Sequence, residues 1–191
     1  MSNNSSNTCI IINKSIASLN EGYKLIIRGE IIMIRLAKTE DLNNITDVYS
    51  YARKFMAENG NPTQWGTNYP SEQLIENDIN NKKMYVIEEE NQIHAVFMFD
   101  ICEDETYEVI KNGQWLSDEE YGVIHRVASD GKIKGVLNKA VDFCSVKKAH
   151  LRIDTHKDNK IMQHQIEKNG FKKCGIIRLI NGDERIAYEK I

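Results

Sequence analysis

Between Tyr121 and Ile177 the hydrophobic period switches repeatedly, and this switching limits what the chain can fold into. "YGVIHRVAS" alternates and reads as a strand. "GKIKGVLNKAVDFCSVKKA" then places Val136, Ala140, Val141, Phe143 and Cys144 on the inner side of a glycine-opened helix. "HLRID" reads as a strand, "DNKIMQHQIEKNG" as a helix and "FKKCGIIRLI" as a strand, with a turn at Asn181-Gly182 and a last strand in "ERIAYEKI".

The preceding part fits the same domain. "MIRLAKTED" reads as a short strand followed by a cap at Thr39 or Asp41. Leu42, Ile45, Val48, Tyr49, Ala52, Phe55 and Met56 form an apolar stripe that stops at Asn59-Gly60. Ser71 caps a second helix, and residues 84–88 and 93–101 form a hairpin. The predicted order from Met33 is β-α-α-β-β-β-α-β-α-β-β, an α/β single domain with a mixed sheet and helices on both faces.

Composition narrows the function. The chain has 191 residues, 41% hydrophobic and 28% charged, with a net charge of −3, so one core is affordable. Acids and bases are interspersed, which argues for no nucleic acid and no membrane partner. No apolar run reaches the roughly 20 residues of a membrane span. The four cysteines, Cys9, Cys102, Cys144 and Cys174, form no CxxC pair, and a reduced, cytoplasmic setting is expected.

Residues 1–32 are expected to be a disordered or mis-started extension, with the domain at 33–191. "MSNNSSN" is Ser/Asn-rich. Arg28-Gly29-Glu30 can be encoded by a purine-rich run resembling a ribosome-binding site ahead of Met33. The other reading is a flexible arm with one extra strand. The mass of the native protein separates the two.

The chemistry-bearing segment is "SDGKIKG" between a strand and a helix. A helix start leaves N–H groups unpaired and partly positive, glycine lets backbone approach an oxyanion, and Lys132 and Lys134 add charge. This suits a phosphate or pyrophosphate cradle. It is neither a Walker loop nor a dinucleotide fingerprint, and a helix that binds nothing also starts this way.

A second segment raises the information content. The chain from Met33 to Ile191 resembles a GNAT-superfamily N-acetyltransferase. It opens on "IRLAKTEDLNNI". "HRVASDGKIKGVLNKAVDFC" is similar to the family's Arg/Gln-x-x-Gly-x-Gly/Ala segment, with Lys132, Gly135 and Leu137 at its three positions. "DNKIMQHQIEKNGF" is similar to the Asn…Lys-x-Gly-Phe segment after the fifth family strand. Two departures stand out: Leu137 replaces the last Gly/Ala, and Ile166 replaces a tyrosine that protonates the leaving thiolate in many relatives.

The resemblance implies a mostly antiparallel sheet with one splayed parallel pair, "IHRVA" and "LRID", holding acetyl-CoA as co-substrate. It implies cofactor contacts from Val127, Ala128, Lys132, Ile133, Lys134, Gly135, Val136, Leu137, Asn159, Met162 and Lys168. The Val127 N–H is expected to polarise the thioester and Asn159 to bind pantetheine or a water near the sulfur. His125 is the candidate base, with Glu108 and Glu88 behind it; the other reading makes His125 a half-buried strand residue.

Trp65, Tyr69, Tyr107 and Trp115 fall in loops where the family builds its acceptor pocket; alternatively Tyr107 and Trp115 pin a long loop. His156, Asp158 and His164 are too incomplete for a metal shell; Asp158 is expected to cap the following helix. The expected activity is acetyl transfer from acetyl-CoA to a primary amine of a small molecule, peptide or lysine. The other reading is an acyl-CoA-binding sensor without turnover. The oligomeric state stays open, with the last strand pairing across a homodimer or not.

Overall fold

The computed structural model describes residues 15–19, 22–27 and 30–191, with side chains from Ile32 onward. Nine strands among the described residues form a single sheet: β1 Ser15–Leu19, β2 Gly22–Ile27, β3 Glu30–Leu36, β4 Met84–Glu89, β5 Gln92–Ile101, β6 Gly122–Ser129, β7 Leu151–Thr155, β8 Lys172–Arg178 and β9 Glu184–Lys190. Their spatial order is β1-β2-β3-β4-β5-β6-β7-β9-β8. Every neighbouring pair is antiparallel except β6 with β7.

From β3 onward the element order is the predicted one. Ahead of it, β1 and β2 make a hairpin added to the edge of β3. Met33 lies inside β3, opposite Glu88. Residues 1–14, including Cys9, lie outside the described residues, so the expected disorder there has no counterpart to report.

Four helices cover the two faces: α1 Leu42–Glu58, α2 Glu72–Asn80, α3 Val136–Lys147 and α4 Lys160–Lys168. Alternation along the strands separates the layers. Ala95, Phe97, Ile124 and Ile153 pack with Leu137, Ala140, Phe143 and Ile166 of α3 and α4. Val96 and Ala128 pack on the other face with Ile45, Tyr49, Ile75 and Ile79 of α1 and α2. A third cluster, around Tyr107, Tyr121, Val123 and Ala187, lies beneath the 102–121 loop.

Local chemistry explains the boundaries, with two corrections. Ser71 caps α2 by accepting from Leu74 N at 3.2 Å. Asp41 precedes α1, but its carboxylate takes Lys38 N and the Arg35 guanidinium instead of capping the helix. Asp158 is not the α4 cap. Asn159 is, accepting from Met162 N at 3.1 Å. The last strand has no free edge either, because β9 is paired on both sides, with β7 and β8. Strand pairing with a second copy is therefore not open to β9, since both rows of its backbone groups are already paired.

Candidate active site

The site is built where β6 and β7 part. Their parallel register covers only Gly122↔Leu151, Val123↔Arg152 and Ile124↔Ile153. Beyond that rung the strands diverge. On its other side β6 carries a bulge: Val96↔Ala128 gives way to Met98↔His125, so Arg126 and Val127 together face Phe97. Arg126 has φ 53°, a conformation disfavoured for a residue with a Cβ.

Two contacts hold that bulge. The Tyr49 hydroxyl donates to the Arg126 carbonyl at 2.9 Å. The Arg126 guanidinium donates to Asp78 of α2 at 2.6 Å, with both side chains largely buried. Burial raises the Asp78 carboxyl above its ordinary range despite the cation beside it.

The loop after β6 follows the expected plan. Gly131 has φ 81°, a backbone form that favours glycine; the Tyr51 hydroxyl, 2.5 Å from where a Cβ would sit, ends an exposed side chain that can move aside. Gly135 is the α3 N-cap at φ 67°, ψ 32°, with no side chain bonded to the exposed helix start. A Cβ at Gly135 would meet only Lys139 Nζ, at 3.8 Å, so this glycine is needed for conformation rather than room. Lys132 and Lys134 are exposed. Asp130 braces the loop, accepting from Lys132 N at 3.0 Å and contacting His94 Nδ1 at 2.8 Å.

Ile133 and Leu137 turn their side chains into the core, as does Ala128 on the opposite face. These three can serve a ligand only through backbone groups. The Leu137 side chain, which departs from the family's Gly/Ala, is thus taken up by the core. Val127, Val136 and Met162 are partly buried against the α3/α4 core. Lys168 is exposed at the end of α4; the next residue, Asn169, accepts from Asn138 in the first turn of α3 at 3.1 Å. Lys168 thus stands beside the α3 start.

Asn159 does two jobs. Its Oδ1 caps α4, and its Nδ2 donates to Gln64 Oε1 at 3.0 Å. Gln64 also accepts from Asn61 at 2.7 Å, which straps the α1–α2 loop across to α4.

The candidate base is placed differently from the expectation. His125 Nε2 lies 3.0 Å from Asp104 Oδ2, and Nδ1 lies 3.4 Å from Asp154 Oδ2. Burial alone would lower its pKa; the bonds to Asp104 and then Asp154 outweigh this and push it up to about 9. That direction favours the other reading, in which His125 is a half-buried strand residue held by its neighbours, over a role in taking a proton. Glu88 is on β4, two strands from β6, and is tied to Arg35 of β3; Glu108 is exposed on the loop.

The aromatic expectations divide. Trp65 is half-buried, edge-on to Tyr49 at 5.7 Å and 6.3 Å from Tyr69, which is exposed. Tyr107 is fully buried and cannot wall a pocket. It supports the site from beneath, donating to Asp154 at 2.9 Å. Trp115 Nε1 donates to the Tyr107 carbonyl at 2.9 Å, and its ring stacks on Arg152. These two residues pin the loop.

At the tyrosine position of the family, Ile166 is wholly buried. His156 contacts Asp158 at 3.5 Å and His164 is exposed; no group of three or more His, Cys, Asp or Glu side chains among the described residues could hold a metal. No helix among them is long and apolar enough to cross a membrane.

Asp78, Asp104, Asp154, Tyr49 and Gln64 were missed from sequence. One signal was available: His125-Arg126 puts two polar residues in succession into an alternating strand, which is how a bulge reads.

No protein-family model matches the sequence, and no curated protein matches it. Solved structures do. An acetyltransferase of the GNAT family from Streptococcus agalactiae 2603 superposes with a TM-score of 0.73 at 30% identity, covering 84% of this chain and 95% of that one. GNAT-family acetyltransferases from Listeria monocytogenes 4b F2365 and Bacillus anthracis share the fold, with TM-scores of 0.62 and 0.58 at 17% and 14% identity. They are covered to 98% each, over 87% and 93% of this chain. With the splayed pair, the bulge and the glycine-opened helix in place, and with 30% identity across nearly all of the streptococcal enzyme, this chain belongs to the GNAT family of acetyltransferases.

Proposed function

We propose that the protein transfers the acetyl group of acetyl-CoA to a primary amine by direct attack in a ternary complex. The carrying observation is the wedge between β6 and β7, flanked by a braced bulge and closed at one end by the uncapped start of α3. Bound acetyl-CoA supplies the activated thioester.

The residues around the wedge fit such a ligand. An αL glycine cap with exposed lysines beside it suits a diphosphate, and Gly135 leaves the approach open. Lys132, Lys134 and Lys168 complement the anion. The bulge leaves Val127 without a register partner, and we assign its N–H as the donor to the thioester carbonyl. Asn159 stands at the far lip of the wedge, where its amide can exchange Gln64 for the pantetheine arm.

Positioning supplies most of the rate: a nucleophile held against a thioester gains up to about 7–11 kcal/mol from avoided entropy loss. The attacking amine must be neutral. In this reading His125 is held as an imidazolium and the amine's proton leaves through water; with Ile166 in the tyrosine position, the thiolate takes its proton from another donor or leaves unprotonated. Trp65 and Tyr69 are the aromatic residues assigned to the acceptor side.

An assay of thiol release with acetyl-CoA across a panel of small amines, peptides and lysine derivatives tests the proposal. Amine-dependent release supports it. Coenzyme A binding with no amine-dependent release favours the sensor reading, for which the buried Ile166 is the specific observation.

A further inference from the structure

The backbone pairing of β6 with β7 ends at Ile124↔Ile153. The next residues on the two strands are His125 and Asp154. Their side chains continue where the ladder stops, with His125 Nδ1 3.4 Å from Asp154 Oδ2. The opposite ring nitrogen is 3.0 Å from Asp104 Oδ2, on the loop leaving β5. Carboxylates only accept and a neutral imidazole has one donor, so a ring hydrogen-bonded to Asp104 and at ion-pair distance from Asp154 is best matched with protons on both nitrogens. We infer that His125 acts as an imidazolium clasp, the last rung between the parting strands, and is a positioning residue for the wedge.

The surroundings hold the clasp in place. Asp104 Oδ1 accepts from Thr106 N at 2.9 Å and Thr106 Oγ1 at 2.6 Å. Tyr107 packs edge-on to the imidazole at 5.8 Å and bonds Asp154. Arg185 of β9 stands 4.0 Å from the other oxygen of Asp154. Arg126, the neighbouring cation on β6, is turned away to Asp78 of α2. The ring therefore faces Asp104, Asp154 and the phenol of Tyr107, with Arg126–Asp78 and Arg185 further out. The ring's pKa of about 9 agrees with this geometry. Since that value lies above the ordinary 6.5, the clasp is intact through neutral pH and opens as pH rises through about 9.

The functional consequence rests on the acetyl-CoA reading above. A wedge that loses its last rung can widen, so grip on the cofactor suffers before the chemistry does. Nitrogen-15 NMR of the wild-type imidazole at neutral pH is expected to show both nitrogens protonated; a neutral tautomer overturns the inference. Calorimetry with coenzyme A is expected to show wild-type affinity falling by about fivefold or more, roughly 1 kcal/mol, between pH 7 and pH 10. His125→Gln is expected to be weak already at pH 7 and insensitive to pH, with partial recovery in His125→Lys. In turnover, His125→Gln raises KM for acetyl-CoA more than it lowers kcat. A drop in kcat alone, at unchanged KM, would make His125 a proton acceptor and overturn the clasp. Wild-type affinity in the Gln variant sinks this inference alone, whereas failure of the wild type to bind coenzyme A at any pH sinks the cofactor reading and the inference with it.

Discussion

The hydroxyl of Tyr49, wholly buried in α1, donates a 2.9 Å hydrogen bond to the carbonyl of Arg126, the residue whose positive φ makes the β6 bulge. A helix side chain on one face of the sheet thus pins the strand irregularity on which the proposed oxyanion donor depends. Burial raises the phenol pKa far above its ordinary value, so the donor keeps its proton across the working range.

Tyr49→Phe removes this donor and leaves a buried carbonyl unpaired. A loss of about 1–3 kcal/mol is expected from the unsatisfied group. Thermal unfolding measures that loss, and kcat is expected to fall because Val127 is released from its position. A variant with wild-type kcat would separate the bulge from the chemistry.

Asp78→Ala leaves the Arg126 guanidinium without its 2.6 Å partner in a largely buried setting. Breaking a buried pair costs roughly 3–5 kcal/mol. The exposed pair Arg178–Glu184, at 3.2 Å, offers a contrast. Glu184→Ala is expected to cost under about 1 kcal/mol. Denaturant melts of the two variants, side by side, check the difference.

Gly135→Glu is expected to weaken coenzyme A binding strongly and Gly135→Asn only mildly. Both add a Cβ into open space, but Asn tolerates the left-handed backbone and carries no charge, whereas Glu is strained there and faces an anion. Equal affinities for the two variants would place the diphosphate elsewhere.

Asn159→Ala removes the α4 cap and the bridge to Gln64 together. Loss of the cap is expected to cost about 1 kcal/mol of stability. Gln64→Ala breaks the bridge and the Asn61–Gln64 bond but keeps Asn159 and its cap, so a larger loss of coenzyme A affinity in Asn159→Ala is expected if the Asn159 amide itself meets the ligand.

Acid stability depends on Asp104. Burial would raise its pKa, but hydrogen bonds from His125 and then Thr106 outweigh it and hold the carboxyl well below its ordinary value. A folded pKa below the unfolded one means stabilisation that is present above about pH 4 and lost as pH falls toward the folded value. The melting temperature of the wild type is expected to exceed that of Asp104→Asn at neutral pH, with the gap closing below about pH 4. A constant gap would mean that the carboxylate is not the source.

The helices and strands from β3 onward were legible because each has one face in a core and one in solvent. Burial imposes periods of 3.6 and 2 that survive in the sequence, as at Ile45, Val48, Tyr49 and Ala52 in α1. The Gly131 and Gly135 loop was legible for a related reason, since a left-handed backbone selects glycine locally. For Tyr107 and Trp115 the sequence left pocket wall and loop anchor both open, because an aromatic residue in a loop carries no mark of whether it faces a ligand or the core.

By itself, then, the chain's pattern determined what is local: element types, their order, the glycine cap of α3 and the family resemblance those segments carry. Only the tertiary structure set His125 between Asp104 and Asp154, which are 21 residues away and on a neighbouring strand. It also decided the bulge at Arg126, held by Tyr49 and Asp78 from two different helices, 77 and 48 residues away. A titrating group or a strained backbone takes its state from whatever folding brings against it, and distance along the chain leaves no periodic trace of that.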